Sequence, residues 1–242
     1  MRLKIGGSSS DGNCYALTDS EGHTLLVEAG IPYGDIARLL DWQITGVVGC
    51  ITTHRHKDHS QSVEKLKSIG ITCFTPWDGS EKDKAFMGKF LIRSFALEDS
   101  EGNPTHTNGD GTYCPIYGYK IYHPEMGTLI YLTDCKFCQY TFKSHNVNHF
   151  LLGVNYQEEY LPYDEGKKAH VVSGHMSEKT AIALIKASQT NSLQNIILGH
   201  LSEGSCNPDT LLERVSKVAT AGVQTHIAVK GMELDLKRDC PF

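Results

Sequence analysis

His54-Arg-His56-Lys-Asp58-His59 places four ligand-type side chains within six residues. Two histidines at i and i+2 in extended chain point the same way, because side chains alternate with period two. Asp58 and His59 follow on a turn that opens the next helix. Imidazole nitrogen and carboxylate oxygen are ligands for zinc, and also for manganese or iron. Four such groups this close suit two divalent metals better than one. The competing reading is a basic surface turn with incidental histidines. The chain holds 12 histidines, so what matters is which of them cluster.

The motif needs elements that hold it. Val47–Thr52 is a continuous apolar run of the buried-strand kind that ends at the motif, followed by a helix over Ser62–Ile69 and a strand over Ile71–Phe74. Upstream, Leu3–Ile5, Cys14–Leu17 and Thr24–Glu28 read as short strands and Asp35–Asp41 as a short helix. Phe90–Leu97, Ile116–Tyr122 and Thr128–Leu132 read as strands, with a long Gly, Asn, Asp and Thr loop over 98–114. The last third alternates: strand Phe150–Val154, helix Ser177–Ser188, strand Asn195–Leu198, helix Pro208–Ala219, strand Val223–Val229. Ser177 reads as an N-cap, and Asn207 as a cap with Pro208 at the first helical position. Leu211, Leu212, Val215 and Val218 share one helical face. This alternation predicts an α/β layered fold, and the absence of repeats or linkers predicts a single domain over 1–242.

A chain of 242 residues with 40% hydrophobic and 21% charged residues is not a disordered one. No apolar run reaches the roughly 18 residues of a membrane span. The opening Met-Arg-Leu-Lys-Ile-Gly-Gly turns to serine before a signal-peptide core forms, which predicts a cytoplasmic protein with its eight cysteines reduced. A net charge of −5 argues against a general nucleic-acid coat protein but not against an enzyme with a local phosphate site.

The six-residue motif resembles the His-x-His-x-Asp-His hallmark of the metallo-β-lactamase-fold hydrolases. The resemblance implies an αββα four-layer sandwich with a dinuclear site along one edge. It implies three further ligands, a His, an Asp and a final His, each near a strand end. Asp134, in Tyr-Leu-Thr-Asp after Thr128–Leu132, takes the place of the bridging carboxylate. His200, in Ile-Leu-Gly-His-Leu-Ser, takes the place of the final ligand. His106, in Pro-Thr-His-Thr-Asn-Gly-Asp, stands in order for the intermediate one. It is preferred to His123, which reads as an exposed residue of a strand-ending turn.

Val172-Ser-Gly-His-Met-Ser-Glu, then a helix, then Gly-His-Leu-Ser resembles the phosphodiesterase branch, which includes ribonuclease Z and ribonuclease J. The match is nearest to the WalJ-like exonucleases, which share Gly-Ser-Ser-x-Gly-Asn, here Gly7-Ser-Ser-Ser-Asp-Gly-Asn13. Three departures stand out. Val27-Glu28-Ala29-Gly30 replaces Val-Asp-Ala-Gly, Gly153-Val154-Asn155-Tyr156 lacks the acid of Glu-x-Asn-His/Tyr, and the loop around His106 is expanded.

The resemblance implies that His54, His56 and His106 hold one metal, that Asp58, His59 and His200 hold the other, and that Asp134 bridges them. Two zinc ions, or manganese, would lower the pKa of a bridging water and deliver hydroxide, with Asp58 orienting it. His175 would protonate the leaving alkoxide; the alternative is a structural or substrate-binding histidine. The expected function is a metal-dependent phosphodiesterase acting on nucleic acid, a DNA exonuclease. A hydrolase of cyclic nucleotides or other small phosphodiesters is the alternative, somewhat favoured by the −5 charge. Thioester or lactone hydrolysis is a third, against which Ser-Gly-His-Met-Ser counts. Among the remaining groups, Cys135-x-x-Cys138 has metal-pair spacing but no second pair, so Cys138 reads as a small apolar residue. His145 and His149 read as surface residues and His23 as part of a hairpin turn, while His170 and His226 have no motif. Lys82, Lys84, Lys89 and Arg93 form a basic stretch, usually only a solvated face.

Overall fold

Alternating or wholly apolar segments cut by Gly, Asn and Asp dictate the first half of the chain. In the computed structural model, which describes residues 1–78, 83–172 and 174–237, Arg2–Ser9 (β1) and Gly12–Thr18 (β2) form a hairpin. Thr24–Val27 (β3) pairs antiparallel with β2 across the turn that holds His23. Tyr33–Leu39 (α1) buries Ile36 and Ala37. Val47–Ile51 (β4) runs parallel to β3 and delivers the chain to His54. Lys57–Ser60 (α2) is one turn carrying Asp58 and His59; Val63–Ser68 (α3) and Cys73–Phe74 (β5) follow.

Lys84–Met87 (β6) and Phe90–Ala96 (β7) make a hairpin around Gly88, whose φ of 58° favours glycine. Next come Tyr117–His123 (β8), Gly127–Leu132 (β9) and Val147–Gly153 (β10). Glu165–Val172 (α4) and Glu178–Ser188 (α5) precede Asn195–Gly199 (β11). Pro208–Val218 (α6), Gln224–Ile227 (β12) and Glu233–Asp235 (β13) complete the chain. Ser177 accepts from the Thr180 amide, and Asn207 accepts from the amides of Asp209 and Thr210. Both caps stand where helix-start chemistry places them.

Two mixed sheets result. One runs β13-β1-β2-β3-β4-β5 and the other β12-β11-β10-β9-β8-β7-β6. β9, β10, β11 and β12 are mutually parallel, so their carboxyl ends share one edge. The chain divides into two compact units. Unit 1 comprises residues 1–94, 120–127 and 228–242, and unit 2 comprises 95–119 and 128–227. Unit 1 buries Cys14, Leu26, Ile36, Cys50 and Leu66 in one apolar cluster, and unit 2 buries Ile130, Phe150, Leu152, Ile185 and Ile196 in another. Truncating such a leucine or isoleucine to alanine costs about 2–5 kcal/mol, which fixes the strand ends where the chemistry sits. Among the described residues no helix is long and apolar enough to cross a membrane.

β6, α4 and β13 were not expected from the sequence. β6 and β13 are too short to show a period, and α4 lacks an apolar stripe. Lys82 and Ser173 lie outside the described residues, as does the side chain of His170.

Candidate metal centre

In unit 1 the ligand-type residues follow β4 directly. His54 and His59 are fully buried, with ring centroids 4.3 Å apart, and the His54 and His56 rings are 4.7 Å apart. His59 Nε2 lies 3.1 Å from Asp58 Oδ2. All four predicted ligands of this segment are therefore gathered at one strand end.

Glu28, fully buried just after β3, organises them. Its carboxylate accepts from the Thr53 hydroxyl at 2.7 Å, and Thr53 Oγ1 lies 3.0 Å from His54 Nδ1. With its own proton given to Glu28, that hydroxyl accepts from His54 Nδ1–H, so Nε2 is the basic nitrogen of the neutral ring. Glu28 Oε1 also lies 3.4 Å from His59 Nδ1. Asn13 Nδ2 donates to the Asp58 carbonyl at 3.2 Å and stands 3.2 Å from His59 Nε2. The Gly-Ser-Ser-Ser-Asp-Gly-Asn hairpin thus positions the ligand turn. Gly30 lets that turn approach: a Cβ there would lie 1.6 Å from the Asp58 carbonyl oxygen.

In unit 2, Asp134 follows β9, Asn155 follows β10 and His200 follows β11 on the shared carboxyl edge, where ligands bind in open α/β sheets. His200 Nε2 is 3.3 Å from Asp134 Oδ2, and His175 Nε2 is 3.9 Å from Asp134 Oδ1. The His175 ring lies 5.8 Å from that of His106 and 6.5 Å from that of His200. His106 Nδ1 donates to the Gly174 carbonyl at 3.0 Å, and His175 Nδ1 donates to the Val171 carbonyl at 2.8 Å. A carbonyl only accepts, so in each neutral ring Nε2 carries the lone pair. Orientation of this kind is what metal-ligating histidines receive from their surroundings.

Backbone strain marks the same residues. Glu28, Asp134 and His200 have φ values of 66°, 49° and 51°, left-handed conformations that cost a non-glycine residue free energy. Each turns its side chain at a strand end.

Sequence reasoning missed two positioning groups. Glu28 stands out in the sequence only as a departure from Val-Asp-Ala-Gly. Asn155, fully buried, was read only as the remnant of a longer motif. Its amide donates to Asp134 Oδ1 and to the His200 carbonyl, both at 3.2 Å, and sits 3.1 Å from His200 Nδ1. A single asparagine after an apolar strand carries no periodic signal that would have revealed this.

Two other readings are corrected. His123 is buried at the end of β8, where it packs on Phe90 and accepts from the Glu125 amide; its desolvation lowers its pKa. His149 is fully buried on β10 beside the Asn195 side chain. Hydrogen-bonding partners make such burial tolerable. Burial pushes the Cys138 thiol up to about 11 and the Cys135 thiol up as well, so neither is a ready thiolate ligand.

The residues present fit divalent cations: imidazoles presenting Nε2, carboxylates beside them, and buried hydrogen bonds fixing the rings. No protein-family model matches the chain, and no curated protein sequence matches it. Solved structures do. The metallo-β-lactamase fold protein YhfI from Bacillus subtilis superposes with a TM-score of 0.69 at 16% identity, over 96% of this chain and 98% of that one. This chain has the metallo-β-lactamase fold. Human tRNase Z, short form, matches with a TM-score of 0.60 at 12% identity, covering 98% of this chain and 99% of that one. Zn2+-bound PqqB from Methylobacterium extorquens matches with 0.63 at 14% identity, covering 98% and 100%. The metallo-β-lactamase fold therefore spans nearly the whole chain, with the ligand-type residues at its strand ends.

Proposed function

We propose that the chain is a metal-dependent phosphodiesterase, a DNA exonuclease of the WalJ-like kind, working in the cytoplasm with two divalent ions, zinc or manganese. In this reading His54, His56 and His106 would hold one ion and Asp58, His59 and His200 the other, with Asp134 serving both. Bound there, two such ions supply Lewis acidity and a water of lowered pKa.

The observation that carries the reading is His175. It stands beside Asp134, His106 and His200 without being needed as a ligand, and the Val171 carbonyl fixes its ring. An alkoxide leaving group needs a proton, and a histidine whose Nε2 faces the reacting edge is suited to give it. Asp58 would orient the attacking water by accepting its hydrogen bond. Glu28, Thr53 and Asn13 hold the unit 1 histidines, and Asn155 holds Asp134 and His200, so their geometry needs no rearrangement on binding. A solved structure of the same fold is named as a tRNase, which supports phosphodiester chemistry.

The test is a parallel assay of the metal-supplemented protein against end-labelled single- and double-stranded DNA, RNA and cyclic nucleotides. Metal-dependent release of nucleotides from a DNA end is expected. Turnover of cyclic nucleotides with no cleavage of any polymer would replace the reading.

A further inference from the structure

Unit 2 carries an open hollow of about 680 Å3 whose described lining includes none of the candidate site residues. Its walls include Tyr160, Pro162 and Asp164 from the segment after β10, Glu203 and Gly204 from the segment after β11, and Val171 at the end of α4. Val171 is the residue whose carbonyl holds His175, and Glu203 follows His200 by three residues. The hollow is therefore linked to His175 through the Val171 carbonyl that its ring donates to.

The walls are built rather than incidental. Gln157, fully buried, accepts from the Tyr160 amide at 3.0 Å through its carbonyl, and its amide donates to the Ser205 carbonyl at 2.9 Å. Its side chain bonds Glu178 at 2.9 Å and the Asn207 amide at 2.7 Å. One buried residue thus pins both walls. Tyr160 remains 37% exposed, an aromatic surface left available on a fixed turn.

We propose that this cavity receives the nucleobase of the leaving nucleoside, an inference that rests on the phosphodiesterase reading. A flat apolar ring stacks on Tyr160. The Glu203 carboxylate, in the opposite wall, accepts from the exocyclic amino group of adenine, cytosine or guanine. The hollow, about 680 Å3 and open to solvent, has room for a base lying on Tyr160.

The test uses the metal-loaded full chain and three single-stranded dinucleotides: one intact with two adenines, and one abasic at either residue. The products of the intact dinucleotide identify the leaving side. Removing the base there should lower kcat/KM about tenfold or more, and removing the other base should matter less. Tyr160→Ala should erase that difference and Tyr160→Phe should keep it. Equal rates for the intact and leaving-side abasic dinucleotides, or a preference surviving Tyr160→Ala, would overturn the proposal. No cleavage of the intact dinucleotide would instead count against the phosphodiesterase reading. Equilibrium dialysis of deoxyadenosine then tests the cavity alone: binding lost in Tyr160→Ala supports it, and no binding to the unaltered protein overturns it.

Discussion

His59 turns its Nδ1 atom to the Glu28 carboxylate, 3.4 Å away and equally buried, while its Nε2 faces Asp58 at 3.1 Å. The same carboxylate reaches His54 through the Thr53 hydroxyl. One acid behind the His54–His59 segment thus orients two of its rings. Glu28→Ala should leave Thr53 and both rings without that acceptor, at a cost of about 1–3 kcal/mol. Metal content should fall with stability, and Glu28→Gln should lose less of both. Thermal unfolding with elemental analysis reads the two effects; unchanged metal in Glu28→Ala would remove this role.

Gly30 is a spatial requirement rather than a conformational one. A methyl group there would collide with the Asp58 carbonyl, so Gly30→Ala must push α2 away from β2 and β3. Overpacking of this kind costs about 1–3 kcal/mol. Circular dichroism should show a folded chain with lowered unfolding temperature, and metal titration should show weakened binding. Wild-type affinity in the variant would show that the turn relaxes freely.

Asn155 holds Asp134 and His200 in unit 2. Partners behind metal ligands are typically worth 10–100-fold in affinity or activity. Asn155→Ala should therefore lower metal affinity or the proposed phosphodiester cleavage roughly 10–100-fold, and Asn155→Asp should lose at least as much by setting a second carboxylate against Asp134. Steady-state rates at saturating metal check this, with activity equal to wild type in Asn155→Asp as the contrary outcome.

These two residues show what the sequence could and could not reveal. The His54–His59 motif stood out because ligand types sit at fixed spacing after an apolar strand, whereas Asp134 and His200 were singled out only through the family resemblance, as a carboxylate and a histidine following strands. The caps Ser177 and Asn207 were legible because capping is local chemistry. Glu28 and Asn155 act across strands, through contacts 21 to 45 positions distant, and no local pattern encodes such a partner. His149 misled for a related reason: its polar neighbours Asn146 and Asn148 hide the first half of β10, and its partner Asn195 lies 46 positions away.

His175 separates proton donation from phosphate binding. His175→Ala should keep its metals yet lose about 10²–10⁴-fold on a natural diester. The loss should be much smaller on a p-nitrophenyl ester, whose leaving group needs little protonation. Equal losses on both substrates would assign His175 to phosphate binding, and lost metal would make it a ligand.

The central proposal is that the chain holds two divalent ions through the seven named residues, and metal content tests it most directly. Elemental analysis of the purified chain should give about two divalent ions per molecule. His56→Ala in unit 1 and Asp134→Ala in unit 2 should each reduce that number and abolish cleavage. Full metal loading in both variants would contradict the account.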